Sequence, residues 1–497
     1  MYWANFLHIY QPHDQHKDIL DAVATQSYRP ILEGIKNRMK VRLTLNINAA
    51  LLELFDKHGH RDLIDTIREI AGSGQVELTG SAKYHTFLPF LDESEIARQI
   101  KINDETAKFY LGDSWRPRGF FPPEMAFSEK IIPILEDLGF SWLILDEIAC
   151  GGKPGDVDYQ SLYKIKNSKL NVFFRERRLS NLIMGAVVRS TETLKEAMRD
   201  DMASNRYLIT AMDGETFGHH RPGLEKMFFE ILDDTDFNLI QISEISDSFK
   251  NEIEIMPTAS TWASSAEDIK HGSQFLSWSD PSNEIHARQK EFTDLVLAEV
   301  RKIPPSDPHY KELRHEMDVG LASDQYFWAS AKPWWSVEMI ESVAFHLLEI
   351  VRKIPNVSPA IVDRARTLYE SIVSTAFYWQ RSGKIREMMR EQGSITRIPF
   401  IDRTIGKGGE EEGVFHAFIE MMKNLEKIAA EKGEYEKAIL WRDSVYKFQN
   451  KLDIYDAVNA IDLLRIEMPN EAVERTIEKY KDKYRAIRGG QPEQRGR

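Results

Sequence analysis

Two carboxylates, each in an unusual local sequence, are the residues of this chain best suited to chemistry. Glu124 follows Gly119-Phe120-Phe121-Pro122-Pro123, and Asp213 follows the apolar run Tyr207–Met212 and precedes a glycine. Each run is typical of a buried strand and breaks abruptly into turn residues. In parallel α/β proteins, catalytic side chains collect where strands end. A carboxylate behind a rigid Pro-Pro and a second in a Gly-flanked turn suggest a nucleophile and a general acid, the pair that cleaves glycosidic bonds.

Each carboxylate alone is weak support for that chemistry. The chain has 78 acidic residues, most of which are expected to be solvated, and an Asp-Gly pair is most often only a turn. The catalytic interpretation is stronger for the pair, because both carboxylates end apolar runs and because other polar and aromatic clusters lie at the ends of other predicted strands.

The first 290 or so residues alternate short β-rich runs with amphipathic helices, which predicts βα repeats around a parallel sheet. The predicted strands are Phe6–Tyr10, Val41–Ile47, Gln75–Thr79, Arg118–Phe121, Trp142–Asp146, Val172–Arg175 and Tyr207–Met212. Seven such strands favour an incomplete or distorted barrel over an open sheet.

A Pro-rich break at Ile303–Pro308 is followed by helical periodicity alone, as in Val414–Ile428 and Tyr435–Phe448. We therefore predict a barrel domain over 1–290 and an α-helical domain over 291–486 that closes the active-site cleft. A disordered tail is predicted over 487–497.

The composition of the chain argues against some classes of binding partner and indicates the compartment. The formal net charge of −13 argues against nucleic acid and anionic membrane as partners, whereas a neutral polar substrate is compatible with it. The single cysteine, Cys150, fits a reducing cytoplasm, and we find no signal-like segment or membrane span in the sequence. The sequence leaves the oligomeric state open.

Histidine, amide and acidic side chains lie at several predicted strand ends. Those chosen as substrate-binding candidates are His8, Gln11, Glu77, His85, Glu215 and His219. A catalytic metal has to be considered, but no His pair at helical zinc-ligand spacing is present. A structural role is the plainer interpretation of any single histidine. As a group, these side chains suit a network of sugar hydroxyls, so we predict neither metal nor cofactor.

Aromatic residues concentrate further along, in polar sequence without helical periodicity. Ser277-Trp278-Ser279-Asp280 precedes Asp324–Trp328 and then Trp334-Trp335. We predict that Trp278, Trp334 and Trp335 stack on sugar rings and that Asp280 binds substrate, with core filling as the alternative for each tryptophan.

Taken in order, these segments resemble the conserved regions of glycoside hydrolase family 57, over roughly the first 340 residues. The five segments are Leu7–Pro12, Gln75–His85, Gly119–Glu124, Ala211–His219 and Ser277–Asp280 with the aromatic stretch after it. The resemblance implies a (β/α)7 barrel followed by helices, with Glu124 as nucleophile and Asp213 as acid/base. Tyr10 stands where the family often has a second histidine, and Phe121 where it often has tryptophan.

We therefore expect a retaining, amylase-type enzyme acting on α-1,4-linked α-glucans or maltooligosaccharides. Asp213 then needs a raised pKa, for which burial and the nearby Glu215 charge are the expected causes. A 4-α-glucanotransferase or branching enzyme would use the same site. A metal-dependent deacetylase or mannosidase-like barrel enzyme and a non-catalytic glucan-binding protein are the alternatives from other classes.

Overall fold

A computed structural model of the chain describes residues 1–332, 334–391, 410–450, 461, 463–464 and 467–487. Its strands are β1 (Tyr2–Ile9), β2 (Leu43–Ile47), β3 (Val76–Gly80), β4 (Gly119–Phe120), β5 (Trp142–Asp146), β6 (Leu162–Ile165), β7 (Asn171–Arg175), β8 (Tyr207–Asp213), β9 (Asn238–Ile240) and β10 (Glu252–Ile255).

The strands form one curled, mixed sheet. Its order is β10-β6-β7-β5-β4-β3-β2-β1-β8, with β9 also paired to β1. The seven predicted strands correspond to β1 to β5, β7 and β8, and every adjacent pair among them in that order is parallel. Their residues are buried almost throughout, because helices cover the outer face of a parallel sheet. β6, β9 and β10 were not predicted.

The barrel closes through an irregular seam between β7 and β8. These strands form no regular ladder, but the Glu176 amide donates to the Ile209 carbonyl at 2.7 Å. The Arg175 guanidinium adds a bond from Nε to the Ala211 carbonyl at 2.8 Å. The barrel is distorted at this seam. The expected fold, a distorted (β/α)7 barrel followed by helices, is confirmed.

Helices follow the strands of the barrel and then continue alone. They are α1 (Lys17–Val23), α2 (Arg29–Lys36), α3 (Ala49–His58), α4 (Arg61–Gly72), α5 (Glu93–Leu111), α6 (Ile131–Asp137), α7 (Arg177–Met184), α8 (Thr191–Ala197), α9 (Arg199–Met202), α10 (Leu224–Asp233), α11 (Ile245–Ser248), α12 (Ala266–Lys270), α13 (Glu284–Arg301), α14 (Tyr310–Gly320), α15 (Asp324–Trp328), α16 (Val337–Lys353), α17 (Pro359–Ser382), α18 (Lys384–Glu391), α19 (Glu410–Glu431), α20 (Tyr435–Asn450) and α21 (Asn470–Ile487). A π-helical turn over Ala24–Tyr28 joins α1 to α2.

By packing, the chain divides into two compact units. The first comprises Met1–His219 and Met227–Met388, and the second comprises His220–Lys226 and the described chain from Met389 onward. The second unit has its own apolar core, in which Phe418, Met422 and Trp441 are buried. A domain boundary at residue 290 stays a prediction. The predicted tail lies, from residue 488 on, outside the described residues. Within the described ranges, no helix is both long and apolar enough to cross a membrane.

Candidate active site

Glu124 lies in a strained turn at the end of β4. Its backbone is left-handed, with φ 62° and ψ 14°, and Met125 follows with φ 49°. Non-glycine residues adopt this conformation only where their surroundings impose it, which is common at functional sites. Trp262 fixes the residue from the facing loop, since its indole Nε1 donates to Oε2 at 2.7 Å. Its amide also donates to the Glu124 carbonyl at 3.2 Å. The carboxylate is thus held in one place at the rim of the barrel.

Asp213 is the last residue of β8 and pairs in register with His8 of β1. Glu215 comes two residues later, in a 3-10 turn. One Glu215 oxygen, Oε1, accepts from the Tyr28 hydroxyl and from Gln11 Nε2, the latter at 3.2 Å. Gly214 has to be small, because a Cβ there would lie 2.5 Å from a methyl carbon of Ile9. The predicted residues Asp213, Glu215, Gln11 and His8 therefore come together around the end of β1.

Burial dominates the electrostatics of this cluster. It raises the pKa of Glu124 to about 8, with a further contribution from the Asp213 charge that the Trp262 hydrogen bond opposes. Burial raises the pKa of Asp213 to about 6, against the attraction of Arg175. It raises the pKa of Glu215 to about 7, again helped by Asp213. Because these carboxyls interact and resist ionising together, the cluster retains a proton near neutral pH, as a general acid requires.

The raised pKa of Asp213 agrees with the sequence expectation, and burial, one of the two expected causes, is its largest cause. The Asp213 charge in turn raises the pKa of Glu215. The order of the two pKa values is the reverse of that expected for an ionised Glu124 and a protonated Asp213. Because these carboxyls interact, the proton that they retain belongs to the cluster and not to one residue.

Three rings are stacked beside Glu124. The His85 centroid lies 5.2 Å from that of His8 and 4.2 Å from that of Tyr10, and the His8 and Tyr10 centroids are 6.0 Å apart, so the three nearly parallel rings form a triangle. Burial lowers the pKa of His8 to about 4 and that of His85 well below its usual value, so both imidazoles are neutral. His85 Nδ1 contacts the Ser323 hydroxyl at 3.0 Å, and Nε2 is buried with no hydrogen-bond partner in the described part of the chain. The unpartnered Nε2 is a second constraint on this ring, which the surrounding stack holds in place.

Asp324, Trp262, Tyr28 and Tyr10 belong to this site but were not among the chosen candidates. The Tyr10 hydroxyl donates to Asp324 Oδ2 at 2.7 Å, and burial raises the pKa of Asp324 to about 6. Asp324 lies in one of the aromatic, polar runs that the sequence analysis noted, and Tyr10 lies in the first motif, whereas Trp262 comes before those runs. Nothing in the sequence indicated that Tyr28, which lies on the π-helical turn, belongs to the site.

Glu77 is not brought to the cluster. It lies near the beginning of β3, two residues before Thr79. Thr79 pairs with Asn46 of β2, which in turn pairs with His8 of β1. Its Oε2 accepts from the Thr44 hydroxyl at 3.3 Å and from the Ser243 amide at 3.2 Å. The predicted substrate contact is corrected to an internal hydrogen bond toward the other end of the barrel.

Trp278 and Asp280 also have internal partners. Trp278 is 1% exposed and stacks on Phe87 at 5.0 Å and on Phe327 at 5.9 Å, which leaves no surface for a sugar ring. Asp280 is buried and pairs with Lys332 Nζ at 2.9 Å. The predicted stacking of Trp278 on a sugar ring is corrected, because the core-filling alternative holds, whereas substrate binding by Asp280 stays a prediction.

The remaining candidates lie at the margins. His219 Nδ1 contacts Gln26 Oε1 at 2.7 Å, on the π-helical turn. Trp335 bonds through Nε1 to Gln380 at 2.8 Å and stacks on Trp379 at 5.9 Å, whereas Trp334 is 46% exposed. The roles of these three residues stay predictions.

Across the residues that the structure describes, no three His, Cys, Asp or Glu side chains converge as metal ligands would. Arg175, whose charge lowers the pKa of Asp213, forms a buried ion pair with Asp146 at 2.7 Å.

Comparison with known sequences identifies relatives. The chain matches the family "Glycosyl hydrolase family 57" over residues 4–257. It is 23% identical over 288 residues to an α-amylase from Pyrococcus horikoshii, which covers 54% of this chain and 45% of the relative. It is 20% identical over 255 residues to a 4-α-glucanotransferase from Thermococcus litoralis, covering 49% of this chain and 38% of the relative. The chain thus spans less than half the length of either curated relative.

Solved structures show the same fold. A family 57 branching enzyme from Thermococcus kodakaraensis superimposes with a TM-score of 0.58 at 15% identity, covering 76% of this chain and 96% of that one.

Proposed function

The chain belongs to glycosyl hydrolase family 57, and from that premise we propose that it is a retaining enzyme acting on α-1,4-linked glucans. The observation that carries the proposal is the pair of buried carboxyls, Glu124 after β4 and Asp213 at the end of β8, whose charges interact. Two interacting carboxyls that together hold one proton are what a double displacement at an anomeric carbon requires.

In this mechanism Glu124 is the nucleophile. Trp262 occupies Oε2, while Oε1 lies 3.8 Å from His85 Nδ1 and is the oxygen that attacks the anomeric carbon. Asp213 donates its proton to the leaving oxygen as the C–O bond breaks, which gives a glycosyl ester on Glu124. Asp213 then takes a proton from water or from a sugar hydroxyl, and that acceptor displaces the ester.

The mechanism requires a proton on Asp213 and a carboxylate at Glu124 once substrate is bound. Positive charge develops at the anomeric carbon beside Glu124, which favours the carboxylate there, while the leaving oxygen accepts from Asp213. The pKa order by itself favours a second assignment with exchanged roles, Asp213 as nucleophile and Glu124 as acid. The stereochemistry of a rescued reaction separates the two assignments.

The acceptor decides between hydrolysis and transfer. We propose amylase-type hydrolysis, with 4-α-glucan transfer or branching at the same site as the alternative. The test is incubation with maltoheptaose followed by sizing of the products. Shorter products alone are expected for hydrolysis, longer products as well indicate transfer, and unchanged maltoheptaose contradicts the proposed function.

Glu124→Gln is the matched control for this assay, since it removes the charge without changing the shape. We expect it to lose far more than tenfold of turnover, because tenfold is only ~1.4 kcal/mol of barrier. The incubation is repeated after exhaustive chelation, which should leave wild-type activity unchanged. Loss of activity that zinc restores would support a metal-dependent deacetylase or mannosidase-like reaction.

An α-glucan or maltooligosaccharide is the partner we propose. The cytoplasmic location and the absence of nucleic-acid binding stay predictions from composition.

A further inference from the structure

Trp262, whose indole bonds to Glu124, lies on the loop of residues 256–265 between β10 and α12. Arg177, the first residue of α7, holds this loop. Its guanidinium donates from Nη1 to the Ser264 carbonyl at 2.9 Å and from Nη2 to the Trp262 carbonyl at 3.0 Å. One arginine therefore fixes the backbone of the loop on both sides of Ala263.

Arg177 is itself held by acidic groups at the end of β5. Its Nη2 lies 2.8 Å from Asp146 Oδ1, and its backbone amide donates to Glu147 Oε1 at 3.0 Å. The side chains are 17% exposed for Arg177 and 1% exposed for Asp146, so the pair is largely shielded from water. Because a guanidinium presents its N–H groups in a rigid fork, the bond to Asp146 also orients the groups that reach the loop.

The same aspartate leads to the second carboxyl of the site. Asp146 Oδ2 pairs with Arg175 at 2.7 Å. Arg175 Nε donates in turn to the carbonyl of Ala211, two residues before Asp213, at 2.8 Å. Asp146 thus joins the strand that carries Asp213 to the loop that carries Trp262, and both carboxyls of the proposed mechanism are held relative to one buried anchor.

We propose that Arg177 is a positioning residue for Glu124, which acts by holding the Trp262 indole against the Glu124 carboxyl. Its two bonds to the loop end on backbone oxygens, so its effect on Glu124 passes through Trp262. A misplacement of about 1 Å at the reacting atoms can cost on the order of a hundredfold in rate. The inference rests on the proposed function and adds to it a residue that aligns the nucleophile.

Releasing the loop should also change the proton equilibrium of Glu124. Burial and the charges of Asp213 and Asp324 raise the pKa of Glu124, whereas the Trp262 bond lowers it. His85, whose Nδ1 lies 3.8 Å from the carboxyl, is neutral. An indole that is free to move donates less well to the carboxylate, so the pKa of Glu124 should rise further.

The test is a double-mutant cycle of Trp262→Phe and Arg177→Met, with maltoheptaose as substrate. Trp262→Phe removes the N–H donor and should lower kcat/KM about ten- to a hundredfold, as expected for a lost hydrogen bond to a charged group. Arg177→Met frees the loop and should lower kcat/KM about three- to tenfold, the effect of a lost neutral hydrogen bond. Each variant should move the pH profile of kcat/KM toward higher pH. In the Trp262→Phe background, Arg177→Met should change kcat/KM by less than about twofold, because the group through which it acts is already gone.

Arg178→Met is the matched control. Arg178 is the next residue of α7, and its partners are the Ala197 carbonyl, Glu176 and Asp201, which lie outside the loop that carries Trp262. This variant also loses one arginine with acidic partners, but it should keep the kcat/KM and the pH profile of wild type.

Circular dichroism shows whether each variant is folded. Arg177→Lys keeps the charge beside Asp146 but offers one nitrogen for two carbonyls, so it should recover part of the activity, and it replaces Arg177→Met in the cycle if that variant does not fold. Wild-type kinetics for Arg177→Met, effects that multiply in the double variant, or an unmoved pH profile would overturn the positioning role. With active wild type, any of these results leaves the proposed function standing. Wild type that turns over no α-glucan would overturn the proposed function and this inference with it.

Discussion

Single residues determine the chemistry of this site through burial. Glu124 and Asp213 both have raised pKa values, and the largest cause in each case is removal from water. A buried pair of carboxyls shares a proton because a second negative charge at short range is costly. The catalytically competent form, one carboxylate and one carboxylic acid, is therefore the form that the site itself favours near neutral pH.

This argument predicts a bell-shaped pH profile for kcat/KM on maltoheptaose. Below a pKa of about 6 both carboxyls are protonated and no nucleophile remains, whereas above about 8 both are ionised and no acid remains. Activity should rise through the first value and fall through the second, with both values belonging to the pair. The leaving group of an aryl glycoside needs little protonation, so kcat/KM on that substrate should fall much less at alkaline pH. A profile that is flat between pH 5 and pH 9 on both substrates would contradict the shared proton.

The sequence identified both carboxyls because each follows an apolar run that ends in constrained turn residues. It did not identify Tyr28 or Asp324, since their part in the site depends on the packing of helical segments distant in sequence. Trp278 was predicted wrongly for a related reason. A tryptophan in a polar run resembles a sugar platform, but two phenylalanine rings from other segments cover it.

At the scale of elements, the seam between β7 and β8 determines where Asp213 lies. Arg175, which is 2% exposed, bonds to Asp146 on β5 at 2.7 Å and to the carbonyl of Ala211, two residues before Asp213. A second arginine, Arg177, lies 2.8 Å from the other Asp146 oxygen. This buried network replaces the missing ladder between the two strands.

Arg175→Met should lower the free energy of unfolding by about 3–5 kcal/mol, because it leaves the buried Asp146 carboxylate short of a partner. Chemical denaturation followed by tryptophan fluorescence measures the change. Arg364→Met, which breaks the exposed pair with Glu291, is the control and should cost no more than about 1 kcal/mol. A loss for Arg175→Met as small as that of the control would show that the seam does not depend on the ion pair.

The seven barrel strands were predictable because parallel strands buried on both faces are continuous apolar runs. β1 begins four residues earlier than predicted, at Tyr2, since its amide bonds to the Arg206 carbonyl and it pairs with β8 along its length. β6, β9 and β10 escaped prediction because none is a continuous run of apolar residues, and β9 and β10 are at least partly exposed along their length.

At the scale of the molecule, the barrel and the helices that follow it in the first unit carry every residue of the site. Asp324 and Ser323 come from beyond the seven strands, so the barrel alone would lack one side of the cluster. Helical periodicity predicted α19 and α20 of the second unit, whose residues cover their own apolar core. Family membership accounts for the barrel.

The most direct measurement of the central claim is azide rescue of Asp213→Ala. This variant should be nearly inactive on natural glucans but should still form the glycosyl-enzyme from an aryl α-glycoside, whose leaving group needs no proton. Azide needs no general base, so adding it should restore turnover and give an α-glycosyl azide. In the wild-type complex with substrate, the two carboxyls should lie about 5–5.5 Å apart, the separation of retaining enzymes.

Two results would contradict the account. A β-configured azide would show direct displacement at the anomeric carbon and would make Asp213 the nucleophile instead. Equal loss of activity on both substrates, without rescue, would show that Asp213 only holds the fold or the sugar.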